Sequence, residues 1–196
     1  MLSALANNAY NAQFTYSGTA MRQSRRSTPG THPRSPGSRS TAAARRNAAA
    51  TLEIRPARKR DLDEIVAIDA RVTGLEKRAY WESIHRRYGH DDTRGRQFLV
   101  ATRDARVIGF IIGEIRDWEF GSPPCGWVFA IDVAPGARLA GVGARLLEAI
   151  CDGFRREAVR TVRTMLAPDD QLVLSFFRSQ GMMAGRFIPL EMSLEA

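Results

Sequence analysis

Between Trp127 and Phe154 the chain changes its period of hydrophobicity, and no other stretch constrains the fold as much. Trp127 to Val133 is an apolar run of strand length that meets Pro135. Arg138-Leu139-Ala140-Gly141-Val142-Gly143 follows, and from it Val142, Leu146, Leu147, Ile150 and Phe154 recur at helical spacing. A strand that runs through a glycine loop into an amphipathic helix presents main-chain N–H groups at the positive end of the helix dipole, where a phosphate or pyrophosphate binds. Each hydrogen bond to a charged group contributes roughly 1.5–3 kcal/mol, so a few of them anchor a nucleotide-like ligand. Taken alone, Gly-x-Gly also describes a tight turn that lets a helix pack on a sheet. Two nucleotide loops fail on spacing. A dinucleotide fingerprint needs a small residue where Leu146 stands and an acid where Leu166-Ala167 stands, and a Walker loop needs Gly-Lys-Ser/Thr, which does not occur.

The rest of the chain from Thr51 reads as alternating elements. Leu52 to Arg55 alternates like a short strand; Leu62, Ile65, Val66 and Ile68 form a helical stripe closed by Gly74, and Tyr80, Ile84 and Tyr88 a second one closed by Gly89. Phe98 to Ala101 and Val107 to Ile112 flank a polar turn and predict an antiparallel hairpin, followed by a loop from Arg116 to Gly126. After the long helix, Val159 to Leu166 predicts a strand, Asp169 to Ser179 a helix closed at Gly181, and Phe187 to Met192 a last strand. The expected order is β-α-α-β-β-β-α-β-α-β, an α/β chain whose mixed sheet carries helices on its faces.

Charge separates this part from what precedes it. The sequence carries a formal +8, but residues 1–50 hold seven Arg and no acid, leaving residues 51–196 with 22 basic against 21 acidic side chains. The near-neutral body argues against a nucleic-acid partner. Residues 1–50 are rich in Arg, Ser and Ala, with Pro29, Pro33 and Pro36 and no sustained period. They bury too little apolar surface to offset an ordering cost of roughly 1–2 kcal/mol per residue, so a disordered extension is expected there, with a folded domain over 51–196. The same composition also fits an organelle transit peptide; otherwise a cytoplasmic location is expected. No run reaches membrane-spanning length, and two distant Cys support neither a disulfide framework nor a zinc site.

Arg138-x-x-Gly141-x-Gly143 at a helix start, with Pro135 before it, resembles the signature of the GNAT superfamily of acetyl-CoA-dependent N-acetyltransferases. The resemblance extends over about residues 52 to 194, in element order and in Ser175-Phe176-Phe177-Arg178-Ser179-Gln180-Gly181-Met182, which is similar to the family's late helix. It implies acetyl-CoA as co-substrate and no metal. The pantetheine would lie along Ile131, Asp132 and Val133, the pyrophosphate on Arg138, Leu139, Ala140, Gly141, Val142 and Gly143, with Asp170 and Phe177 of the late helix also at the cofactor. The main-chain N–H of Val133 would polarise the acetyl carbonyl. The implied reaction passes acetyl directly to a primary amine: a protein α-amine, a Lys side chain or a small amine. A homodimer is compatible with the family, a membrane partner is not expected, and a catalytically silent acyl-CoA-binding module is the alternative.

The catalytic positions depart from the family's pattern. Met165 stands where many relatives have a Glu base, and Phe177 where many have a Tyr acid. A positioned acid or base contributes typically ~10²–10⁴-fold, so a substitute base is sought. Glu114, inside the apolar run Ile111 to Ile115, shares a face with Ile112 and either serves as base or meets water. Asp132, in the expected acetyl-CoA strand, either acts through water or only accepts a hydrogen bond. Glu119, His85 and His90 read as solvated, and Cys151 as core. Val72 to Trp81 and Trp118-Glu119-Phe120 correspond to the segments that recognise acceptors in relatives, although Tyr80 and Trp81 each also fit core packing.

Overall fold

The computed structural model describes residues 51–90 and 95–194; the expected extension over residues 1–50 lies outside them. Five strands, β1 (Glu53–Pro56), β2 (Arg96–Arg103), β3 (Arg106–Arg116), β4 (Cys125–Val133) and β5 (Val162–Arg163), form one sheet in the order β1-β2-β3-β4-β5. The first four pair antiparallel and β5 joins β4 in parallel. Helices α1 (Leu62–Thr73) and α2 (Arg78–Tyr88) cover one face, α3 (Val142–Arg156) and α4 (Gln171–Ser179) the other.

Local chemistry explains the boundaries. α1 stops where Gly74 takes a left-handed φ of 73° and its N–H caps the carbonyl of Ala70 at 2.9 Å. The hairpin turn is tighter than the sequence suggests: only Asp104 and Ala105 lie outside the strands, both at positive φ, and that geometry matches the twist of the paired strands. α1 and α2 pack Leu62, Ile65, Ile68, Trp81 and Ile84 onto Phe98, Val100, Phe110 and Ile112. α3 packs Val142, Leu146, Ile150 and Phe154 onto the opposite face, where the Phe154 ring lies so close over Gly126 that no Cβ would fit.

One irregularity in the sheet matters for everything downstream. Ile112 faces Ala130 and Gly113 faces Val128, so Phe129 is an extra residue, a β-bulge in β4. Past it Ala130 belongs to the α1/α2 face and Ile131 and Val133 to the α3/α4 face, while Ala134, just beyond the strand, packs against both cores. The β4–β5 pairing covers only Gly126 with Val162 and Trp127 with Arg163, then ends.

Two strand expectations change. The strand expected over Val159 to Leu166 shrinks to Val162–Arg163, because β4 leaves its partner at the bulge. No strand forms over Phe187 to Met192 among the described residues. Pro189 removes a ladder donor there, and two-residue β5 offers little edge to pair with. Ile188, Leu190, Met192 and Leu194 are left largely exposed, and the segment touches the sheet where the Arg163 guanidinium stacks 4.4 Å from the Phe187 ring. No helix among the described residues is long and apolar enough to cross a membrane.

Candidate active site

The pairing with β3 past the bulge decides which way the main chain of β4 points. Ala134 N–H donates to Ile108 of the strand preceding it at 2.9 Å, so by alternation the N–H of Asp132 also points toward β3. The N–H groups of Ile131 and Val133 therefore point the other way, into the gap where β5 has stopped pairing. They are donors on an open inner edge, flanked by the start of α3. That start is itself unsatisfied: the first helical bond runs from Arg145 N–H to Gly141 C=O at 3.1 Å, no side chain caps the helix, and its first turn holds no acid. The N–H groups of Val142, Gly143 and Ala144 face forward without an intrahelical acceptor.

The two loop glycines do different work. Gly141 has a φ of 70°, and a Cβ there would meet nothing within 4 Å, so its backbone borders open space. Gly143 would bring a Cβ to 3.1 Å from the ring of Phe176, so its smallness serves the packing of α4 against α3. Arg138, Leu139 and Ala140 are exposed, with Leu139 also at positive φ, and the Arg138 Nε donates to Val133 C=O at 3.4 Å. The Val142 side chain is buried in the core, leaving only its main chain to face the loop. A groove of about 670 Å³ starts at Ala140 and Gly141 and runs along α3 past Arg103, Arg145 and Arg155. Cys151, expected in the core, is half-buried and lines this groove.

The late-helix residues are engaged within the fold. The Asp170 carboxylate accepts the Val173 N–H at 3.1 Å and caps α4. Phe177 is buried in the α3/α4 core, edge-on to Phe176, and has no proton to give. Phe176, which sequence reasoning passed over, is the ring that reaches the loop; its place three residues after Val173 on the apolar stripe was the available signal.

Glu114 and Asp132 share the α1/α2 face but are not brought together. Glu114 pairs with Trp127 and Asp132 with Phe110, four positions apart along β3, which is roughly 13 Å at ~3.3 Å per residue. Both Glu114 oxygens are engaged: Oε2 accepts from the Tyr88 hydroxyl at 2.7 Å and Oε1 from Arg116 Nε at 3.1 Å, while Arg116 stacks 4.4 Å from the Trp127 ring. Burial and the Glu114 bond push the Tyr88 hydroxyl up to about 12, so it stays a donor. Glu114→Gln is therefore expected to weaken the hold of α2 on the sheet by about 1–2 kcal/mol, read as a lower urea midpoint, with no shift in the pH dependence of activity.

Asp132 has a different environment. No hydrogen bond or ion pair reaches its carboxyl among the described residues. Burial, then the nearby charge of Asp69, push it up to about 7, against the smaller opposing pull of Lys77 and Arg138. A carboxyl that titrates near neutrality beside an edge of free N–H donors is equipped to accept a proton from a group delivered there. His85, expected at the surface, is half-buried in α2, and its Nε2 is buried without a partner. No group of three or more metal-ligating side chains occurs among the described residues.

A strand opened past a bulge, donors on its inner edge and an uncapped helix after a glycine loop together make a cleft suited to an extended, phosphate-bearing ligand. The family profile "Acetyltransferase (GNAT) family" matches residues 62–182, and the chain belongs to that family. Among solved structures, the aminoglycoside N-acetyltransferase AAC(6')-Iy in complex with CoA is similar at a TM-score of 0.66 and 18% identity, over 76% of this chain and 98% of that one. The same enzyme with a bisubstrate analog, CoA-S-monomethyl-acetylneamine, matches at 0.64 and 18%, over 74% and 99%. A transcriptional regulator from Bacillus halodurans C-125 matches at 0.62 and 16%, over 74% and 100%. At these identities the likeness is one of fold. None of the curated proteins matches the sequence.

Proposed function

We propose that this protein transfers acetyl from acetyl-CoA to a primary amine, with Asp132 as the general base. The observation that carries the reading is the opening of β4: two outward N–H groups, Ile131 and Val133, beside a carboxyl pushed up to about 7. Bound acetyl-CoA would supply a thioester whose acyl carbon accepts the amine. Ile131 and Val133 would hold the pantetheine and acetyl carbonyl by their main-chain N–H groups, an oxyanion-hole role. Gly141, with the free N–H groups of Val142, Gly143 and Ala144, would receive the pyrophosphate, and Arg103 and Arg145 in the adjoining groove add positive charge for the adenosine end.

On the acceptor side Asp132 does the work. A Lys-like amine (pKa about 10.4) is neutral only ~0.04% of the time at pH 7 and an α-amine (about 8) roughly 10%, so a base of near-neutral pKa matters most for the first. The departing thiolate, of ordinary pKa about 8.5, leaves without a tyrosine acid, which fits a late helix that buries Phe177. The neighbouring enzyme joined to an acetylneamine analog supports a small polar amine over a protein terminus.

Calorimetry of the full chain with acetyl-CoA, followed by thiol release across a panel of small amines and peptides, tests the reading. Micromolar binding and amine-dependent thiol release are expected. Absence of binding overturns it, and tight binding without release from any amine assigns the protein as an acyl-CoA-binding module. A homodimer belongs to the same proposal, because Ile188, Leu190, Met192 and Leu194 are nearly bare in the single chain. Light scattering is expected to return about twice 21.8 kDa, and Leu190→Glu with Met192→Glu to return that single mass.

A further inference from the structure

The face of the sheet that carries Asp132 already holds an ammonium ion, one that belongs to the chain. Asp69, in the last two turns of α1, is 3% exposed. Its Oδ2 accepts the Trp81 indole N–H at 2.8 Å and its Oδ1 the Lys77 ammonium at 3.0 Å. The Lys77 nitrogen also lies 5.8 Å from the centroid of the Tyr80 ring. One carboxylate and one aromatic face are the parts from which cation sites are built. Trp81 fixes the carboxylate from behind, packed between Phe98 and Phe110.

Lys77 is the more exposed partner of this ion pair. It belongs to the connector 74–77, outside both helices, and a third of its side chain is exposed, against 4% for that of Asp69. Its rotation into solvent would leave Asp69 Oδ1 without its cation while Oδ2 keeps the Trp81 N–H. A buried carboxylate tolerates exchange of its counter-ion far better than loss of it, so such a rotation needs an incoming cation. The charges that face Asp132 are placed accordingly: Asp69 from α1, Lys77 from the connector and Arg138 from the loop after β4.

We infer that Asp69, Tyr80 and Trp81 form an ammonium-binding subsite of the acceptor pocket, and that Lys77 is its internal occupant, displaced by an acceptor carrying a second cationic amine. The inference rests on the acetyltransferase reading and narrows it: the acceptor is a diamine or polyamine, with one nitrogen offered to Asp132 and another held at Asp69. The lysine makes the subsite selective, because a monoamine gains nothing by displacing it. Asp69, Tyr80 and Trp81 thus determine specificity, and Lys77 sets the threshold.

The test is a titration of the full chain, saturated with CoA, with 1,5-diaminopentane and with 1-aminopentane at constant ionic strength, following the Trp81 indole N–H by nuclear magnetic resonance. Loss of that signal in Trp81→Phe assigns it. The diamine is expected to shift the Trp81 signal saturably and the monoamine to leave it in place. Lys77→Met should tighten the diamine at least tenfold, and Lys77→Arg, which keeps a cation in the pocket, should stay within about threefold of the native affinity. A Trp81 signal that ignores the diamine in the native protein, or that moves equally with both amines, overturns the inference. Because the native chain carries the deciding comparison, the result does not depend on how well Lys77→Met folds. Calorimetry of CoA on the same sample reports separately on the acetyltransferase reading: intact CoA binding with a silent Trp81 removes the subsite alone.

Discussion

Gly141→Val is expected to weaken acetyl-CoA binding at least a hundredfold by calorimetry while the protein still unfolds cooperatively. Gly141 precedes the first residue of α3 at a φ of 70°, a conformation that costs an L-residue about 1–2 kcal/mol and a β-branched one more. The loop would relieve that strain by rotating, and rotation would re-aim the free N–H groups of Val142, Gly143 and Ala144. Losing one or two hydrogen bonds to a charged group, at roughly 1.5–3 kcal/mol each, accounts for the hundredfold change. The fold survives because a Cβ at this position meets no protein atom within 4 Å. Gly143→Val gives the contrasting outcome. Its Cβ would press on the Phe176 ring at 3.1 Å, so stability should fall along with affinity. Equal affinity in Gly141→Val and the native protein would move the pyrophosphate away from this loop.

Asp132→Asn is expected to lower turnover by ~10²–10⁴ and to erase the rise of activity through neutral pH. With Asp132 as the proposed base, the native protein should be slow below pH 6 and approach a plateau above pH 8, since a carboxylate base works only when ionised and this one is pushed up to about 7. Stability should run the opposite way. The folded-state value lies above the ordinary 3.8, so the folded protein holds this proton more tightly than the unfolded chain does. The stabilisation is whole below about pH 4 and is lost as the pH rises through 7. Asp132→Asn carries no charge to bury, so at pH 8 it should unfold at a higher urea concentration than the native protein, by a margin of order a few kcal/mol. A variant that loses activity and gains alkaline stability would identify Asp132 as a group kept for chemistry at the expense of the fold. A native pH profile without a step near 7, or full activity in the Asn variant, would reassign the base.

Local periodicity carried the fold a long way. Val142, Leu146, Leu147, Ile150 and Phe154 are all core residues, Gly74 ends α1 as read, and Glu114 does lie on the Ile112 side of β3. The misses share a cause. Phe187 to Met192 alternates like a strand, but a strand needs an edge, and the shortness of β5 is a property of the sheet rather than of that segment. The candidate site divides in the same way. The start of α3 was legible because Gly141 takes the left-handed φ that glycine favours. The environment of Asp132 was not, because Asp69 and Lys77 lie more than fifty residues away and meet it only through the packing of α1 on the sheet. Phe176 and Phe177, adjacent on one stripe, could not be ranked without knowing how α4 turns toward α3.

Phe129 ties the two halves of the proposed chemistry together by counting. Residues along a strand alternate in face and in donor direction, so one unpaired residue sets the parity of all that follows. With Phe129 present, Asp132 turns its carboxyl to the acceptor side while Ile131 and Val133 turn their N–H groups to the gap. Deleting Phe129 would leave Ala130 opposite Ile112 and Asp132 opposite Phe110, so both orientations would survive in a regular ladder and only the bend would be lost. The bulge therefore takes up a one-residue change in length between Val128 and Ala130, and the proposed base and carbonyl donors, fixed by one register with β3, are kept or lost together.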